Sequence, residues 1–170
     1  MTLTKNKYYF EALDNFPHAL SDCLDSLNYA LSYDPEDADS LCLMGRVYSE
    51  ILKDYETAKK YFEEAMQSHV SNINTPRYYI ECLLNNEDYD EAGKLIEFAL
   101  QIKGIDKAEI LYCKAHLLER KEEFKAALEQ LKESKRFSYC RNMFEMAEDK
   151  EKFIKDKMPR ISTKRKVETE

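Results

Sequence analysis

Asp54-Tyr55-Glu56-Thr57-Ala58, followed by Tyr61-Phe62 and Ala65, decides the fold because it recurs. Asp88-Tyr89-Asp90-Glu91-Ala92 is followed by Leu95-Ile96 and Ala99, and Glu123-Phe124-Lys125-Ala126-Ala127 by Leu131 and Ser134. Ala58, Ala92 and Ala127 stand 34 and 35 residues apart. A fixed period in this range marks a solenoid of stacked supersecondary units, none of which buries its apolar faces alone.

Composition agrees. The 170 residues are 44% hydrophobic, with only 3 Gly and 4 Pro. That favours long helices over a turn-rich β fold. Charged residues make up 35% of the chain and give the helices solvated outer faces. The net charge of −7 argues against general affinity for nucleic-acid phosphates. Charge is uneven: residues 1–70 net −7, residues 71–130 −4 and residues 131–170 +4. No apolar run reaches membrane-spanning length, and Met1–Phe10 does not read as a signal peptide. Cys23, Cys42, Cys82, Cys113 and Cys140 are odd in number and widely spaced, which fits buried thiols in a reducing compartment. The expected location is the cytoplasm.

In chain order, apolar spacing predicts a helix over about Lys5–Asn15 and, with Pro17 at its start, a second through Leu31 that stops at Asp34-Pro35. Asp37 or Asp39 caps a third, carrying Leu41, Met44, Val47, Tyr48 and Ile51. Gly45 sits mid-helix, where glycine costs about 1 kcal/mol against alanine. Close approach of a neighbouring helix would offset that. A fourth helix starts near Asp54, and His69–Thr75 reads as a turn. Pro76 opens a fifth helix, Asn85-Asn86 ends it, and Gly104 caps the sixth. The seventh covers about Asp106–Arg120 and the eighth Glu123 to about Arg136. Met143, Phe144, Met146, Ala147, Phe153 and Ile154 mark one more helix, or two, before Pro159. These readings give a repeat domain over residues 1–158, capped by a helix at about 138–158. A disordered basic tail follows over 159–170.

These residues resemble the tetratricopeptide repeat family. In the unit from Ala38 to about Val70, Leu41, Met44-Gly45, Tyr48, Tyr55, Ala58, Phe62 and Ala65 fill the family's positions, with one extra residue between Tyr48 and Tyr55. Leu111, Ala115, Leu118, Phe124, Ala127 and Leu131 match in the last unit, and Cys23, Leu27, Ala30 and Pro35 in the first. The unit from Thr75 to Gly104 matches only in its second half, and its first helix is about two residues short. The resemblance covers roughly residues 5–136. It implies an all-α, right-handed α-solenoid of about four hairpins, whose first helices line a concave face. Length, charge and repeat number are also similar to the small repeat chaperones of bacterial type III secretion.

The resemblance implies a non-catalytic adaptor that holds a protein or peptide segment in its groove; an escort chaperone for an aggregation-prone client is the alternative. By phase with Leu41 the groove should present Asp39, Cys42, Arg46, Ser49 and Glu50. By phase with Leu111 it should present Glu109, Tyr112, His116, Glu119 and Arg120. Arg77, Glu81 and Asn85 are expected from the irregular unit. Tyr78 and Tyr79 are also free to face a ligand. The chaperone-tail carboxylate clamp found in some family members is not expected, because Leu43, Cys113 and Glu109 stand where it needs Asn and Lys.

Nothing points to chemistry. His18, His69 and His116 lie in no metal frame, no C-x-x-C pair exists, and the glycines form no phosphate loop. Cys113 and His116 are one helical turn apart but lack a third group. No cofactor or metal is expected, and no nucleic acid or membrane partner. The Lys164-Arg165-Lys166 cluster reads as a solubilising tail. The Met143–Ile154 stripe is where a second copy would dock.

Overall fold

A computed structural model describes residues 7–68 and 73–158. Its helices are α1 (Lys7–Asn15), α2 (Leu20–Tyr33), α3 (Ala38–Arg46), α4 (Tyr55–Ser68) and α5 (Thr75–Asn85). Then come α6 (Tyr89–Ala99), α7 (Lys107–Arg120), α8 (Phe124–Phe137) and α9 (Arg141–Lys157). No strand occurs among the described residues. Helices pair in sequence, α1 with α2, α3 with α4, α5 with α6 and α7 with α8. Each hairpin packs on the next, and the first helices α3, α5, α7 and α9 form a row of neighbours. The architecture is an all-α repeat solenoid.

The recurring small residues sit where helices touch. Ala58, Ala92 and Ala127 are fully buried, as are Phe62 and Leu131, with Ile96 at 1% exposure. Gly45 meets the expected close approach. A Cβ placed there would lie 2.8 Å from the Phe62 ring, so only glycine fits.

The extra residue between Tyr48 and Tyr55 is absorbed by a change of helix type. Val47–Leu52 continues α3 as a π-helix, which accommodates one residue more than an α-helical turn. The turn that closes each hairpin shows the shift. Asp88 N–H donates to Leu83 C=O (2.9 Å) and Glu123 N–H to Leu118 C=O (2.8 Å), five residues back. Asp54 N–H donates to Tyr48 C=O (3.0 Å), six residues back. Each turn passes through a left-handed residue, namely Lys53 (φ 57°), Glu87 (φ 64°) and Glu122 (φ 61°). The period is therefore written in the backbone as well as in the alanines.

Several expectations are corrected. Pro17 lies in the turn after α1, and α2 begins only at Leu20. Of the two caps expected for α3, Asp37 is the one used, its carboxylate accepting from Ser40 N–H at 3.0 Å. Gly104 (φ 89°) lies in the turn beyond the α6 cap, which is Leu100. The short first helix of the third unit is confirmed, at 11 residues in α5 against 14 in α7. The Lys5–Asn6 start, His69 to Asn72 and the 159–170 tail, with Pro159 and Lys164-Arg165-Lys166, fall outside the described residues.

After α8 the chain forms a single helix, α9, packed on α7 and α8. Met143, Ala147 and Ile154 are buried in that contact. The buried part of the stripe expected to receive a second copy is thus spent inside the chain. Ions complete the seam. Lys135 of α8 pairs with Glu151 at 2.5 Å, while Glu119 of α7 takes Lys157 at 2.5 Å and Lys150 in closer contact.

Candidate partner-binding face

The row of first helices carries two open pockets, one lined by Tyr78 and the other by its neighbour Arg77. The first is lined by Tyr9 and Leu13 of α1, Asp39, Cys42, Leu43 and Arg46 of α3, and Asn74 and Tyr78. Arg46 is its centre. Its guanidinium lies 4.5 Å from the Phe16 ring centroid and 4.1 Å from that of Tyr78. Nε donates to Glu50 at 2.8 Å one helical turn on. A guanidinium gripped by two rings and a carboxylate is held in one orientation, since each aromatic contact contributes about 0.5–2 kcal/mol.

The second pocket, of about 130 Å³, opens between α5, α7 and α9. Arg77 and Glu81 contribute from α5, and Glu109, Tyr112 and Cys113 from α7. Asn142, Met143 and Met146 of α9, with Cys140 before it, complete the wall. Arg77 bonds Glu109 at 2.7 Å and lies 3.6 Å from Glu81. Burial raises both carboxyls, and Arg77 offsets only part of that.

Beyond this pocket the face closes over. His116 tilts against Tyr112 with ring centroids 6.1 Å apart, and its Nε2 is 3.8 Å from Glu119. Burial first, and Lys150 beside it second, lower the His116 pKa to about 4. Burial alone would raise the Glu119 carboxyl, but hydrogen bonds from Lys150 and Lys157 outweigh it and hold the group low. A third positive charge at His116 has no place beside a carboxylate already shared by two lysines.

Eight of the residues expected on this face line a pocket or hold a group that does: Asp39, Cys42, Arg46, Glu50, Arg77, Glu81, Glu109 and Tyr112. Cys42 contributes only an edge, since it is 5% exposed and burial lifts its thiol to about 11. His116 flanks the second pocket through Tyr112. Ser49 is buried and its hydroxyl donates to the Arg46 carbonyl at 3.4 Å, so it faces inward. Glu119 is buried at 6% exposure under α9, because it neutralises the two lysines of that helix. Asn85 and Arg120 are exposed at helix ends and line neither pocket. Tyr79 turns into the core, stacked on Phe62 at 5.5 Å with its hydroxyl donating to Glu63 at 3.0 Å. Of that adjacent pair, Tyr78 is the one that lines a pocket.

Phe16 and the α9 residues were missed. The i, i+3 spacing of Met143 and Met146 was the available signal, since it puts two sulfurs on one side of α9. Among the described residues no three His, Cys, Asp or Glu side chains are grouped to hold a metal ion. Cys113 has its thiol pushed up to about 12 by burial, so it is no nucleophile. None of the helices described is long and apolar enough to cross a membrane.

No protein-family model matches the sequence, and no curated protein matches it. Solved structures do. PilF of Pseudomonas aeruginosa superposes with a TM-score of 0.73 at 17% identity, over 88% of this chain and 69% of that one. YrrB, described as a TPR protein with an unusual peptide-binding site, gives 0.66 at 20% identity, over 84% and 73%. MamA of Desulfovibrio magneticus RS-1 gives 0.65 at 15% identity, over 88% of each chain. At these identities the likeness establishes the fold, which is that of the tetratricopeptide repeat.

Proposed function

We propose that this tetratricopeptide-repeat solenoid is a non-catalytic interaction module that holds a segment of a partner protein along the concave face made by α3, α5, α7 and α9. The observation that carries the reading is the pair of open pockets on the row of first helices, one lined by Tyr78 and the other by its neighbour Arg77. Charged groups are fixed there by neighbours on different hairpins, Arg46 by Tyr78 and Arg77 by Glu109. Such preorganised groups lose little freedom on binding, which is what makes a shallow groove selective. The peptide-binding site named for YrrB, a chain of the same fold, supports a peptide as the class of ligand. The residues proposed to contact the segment are Asp39, Arg46, Tyr78, Arg77, Glu81, Glu109 and Tyr112. A cytoplasmic location belongs to the same proposal, supported by five cysteines of which four are buried and none is paired.

Affinity purification of the tagged chain with mass spectrometry tests the reading, run beside Arg46→Glu. The charge reversal ejects the side chain from between Phe16 and Tyr78 and repels Glu50. Loss of a stoichiometric partner, with helicity unchanged by circular dichroism, is expected. Retention of every partner by Arg46→Glu would sink the proposal.

A further inference from the structure

We infer that the pocket between α5, α7 and α9 receives a lysine or arginine side chain of the bound segment. This rests on the groove reading above and adds the chemistry of its anchor.

The pocket's charges do not balance. Arg77 is the only cation lining it, and it serves two carboxylates, Glu109 at 2.7 Å and Glu81 at 3.6 Å. Glu50 on one flank and Asp106 on the other add negative potential at Glu81 and Glu109 respectively. In the pocket beside Tyr78 the guanidinium is held differently, with Arg46 bonded to Glu50 and gripped by two ring faces. An entering cation would give Glu81 a second partner beside Arg77 and offset more of the desolvation that raises its carboxyl.

The walls suit the rest of such a side chain. Met146 from α9 and the Tyr112 ring offer apolar surface to a methylene stem, Met143 adding only an edge. A metal ion is a poorer occupant, because no three ligating side chains converge among the described residues. The overall charge of −7 also steers a basic segment toward the protein.

The test is selection of a random twelve-residue peptide library displayed on phage, using purified wild-type protein. The same selection is run on Arg46→Glu and on the Glu81→Gln, Glu109→Gln double variant. Wild-type protein is expected to enrich peptides with Lys or Arg at one fixed position. In a synthetic peptide from that set, replacing the basic residue by norleucine should weaken binding at least tenfold on wild type. On the double variant the same replacement should cost little. If the double variant melts early, Glu81→Gln alone is used, which leaves the Arg77–Glu109 bond intact. Enriched peptides that depend on Arg46 but share no basic residue, or norleucine binding as well as lysine, would overturn the anchor and leave the groove standing. Failure of wild-type protein to enrich any peptide would remove the groove reading, and the anchor with it.

Discussion

The α3/α4 hairpin and the α9 cap are both attached through buried contacts, but by opposite physics. Gly45 and Phe62 meet so closely that a single added carbon has no room. Nothing polar is involved, and the contact depends on size alone. At the other end Glu119 is equally hidden, yet it is held by Lys150 and Lys157 across a seam with apolar contacts at Met143, Ala147 and Ile154. The periodic scaffold is thus held by shape, and the cap by shape plus charge. Contacts of the first kind respond to volume and ignore pH. Those of the second kind respond to pH as well.

The largest effect expected from this contrast is at Gly45. Gly45→Leu should cost roughly 3 kcal/mol or more, at the upper end of overpacking, because Phe62 is fully buried and has nowhere to move. Thermal unfolding followed by circular dichroism measures it; an unchanged midpoint would mean the close contact does not exist in solution.

Glu119→Gln should cost less, about 1–3 kcal/mol, because Lys150 and Lys157 sit at 14% and 42% side-chain exposure and recover some hydration. Its effect should also be local. Amide exchange should accelerate in α9 while α3 and α4 stay protected, whereas uniform acceleration would contradict a separately held cap.

Third is pH. His116 is depressed from an ordinary value near 6.5 to about 4 in the fold. Its stabilisation is therefore complete above pH 6.5 and is lost as pH falls through 4. About a third of its side chain meets water, so the loss should be near 1 kcal/mol. Glu119, itself held low, loses its contribution only below its ordinary value of 4.5. Unfolding curves taken between pH 7 and 4 should flatten in His116→Gln. An identical slope in wild type and variant would show that another group governs the window.

The smallest effect sharpens the scaffold side. Glu122, at φ 61°, occupies a backbone region that costs a side chain about 1–2 kcal/mol. Glycine removes that strain but gains entropy when unfolded, so Glu122→Gly should stabilise by about 0.5 kcal/mol. Lys53→Gly and Glu87→Gly should behave alike, since the three turns repeat one conformation. Denaturant midpoints for the three variants decide it, and destabilisation in all three would break the equivalence.

Reading Ala58, Ala92, Ala127 and Gly45 was sufficient to place the contacts between helices, because small residues at a fixed period permit only one kind of stacking. The irregularity after Tyr48 was legible as an insertion, though its π-helical form was not. Of the candidate face, Arg46 was legible from phase with Leu41, and Arg77 from the irregular unit. Phe16 was not, because it lies in the turn before α2, outside every repeat position. Glu119 was misjudged for a related reason. Its phase is that of a groove residue, but α9 lies over it.

The sequence by itself determined the period, the hairpins and the faces each helix buries, since all three follow from spacing within one or two turns of chain. Only the tertiary structure decided which charges are free. Arg77 and Glu109 are 32 residues apart, and Lys157 and Glu119 are 38 apart. No local pattern pairs them. Coulomb interaction acts through space, so the charge balance of the groove exists only once the helices are stacked.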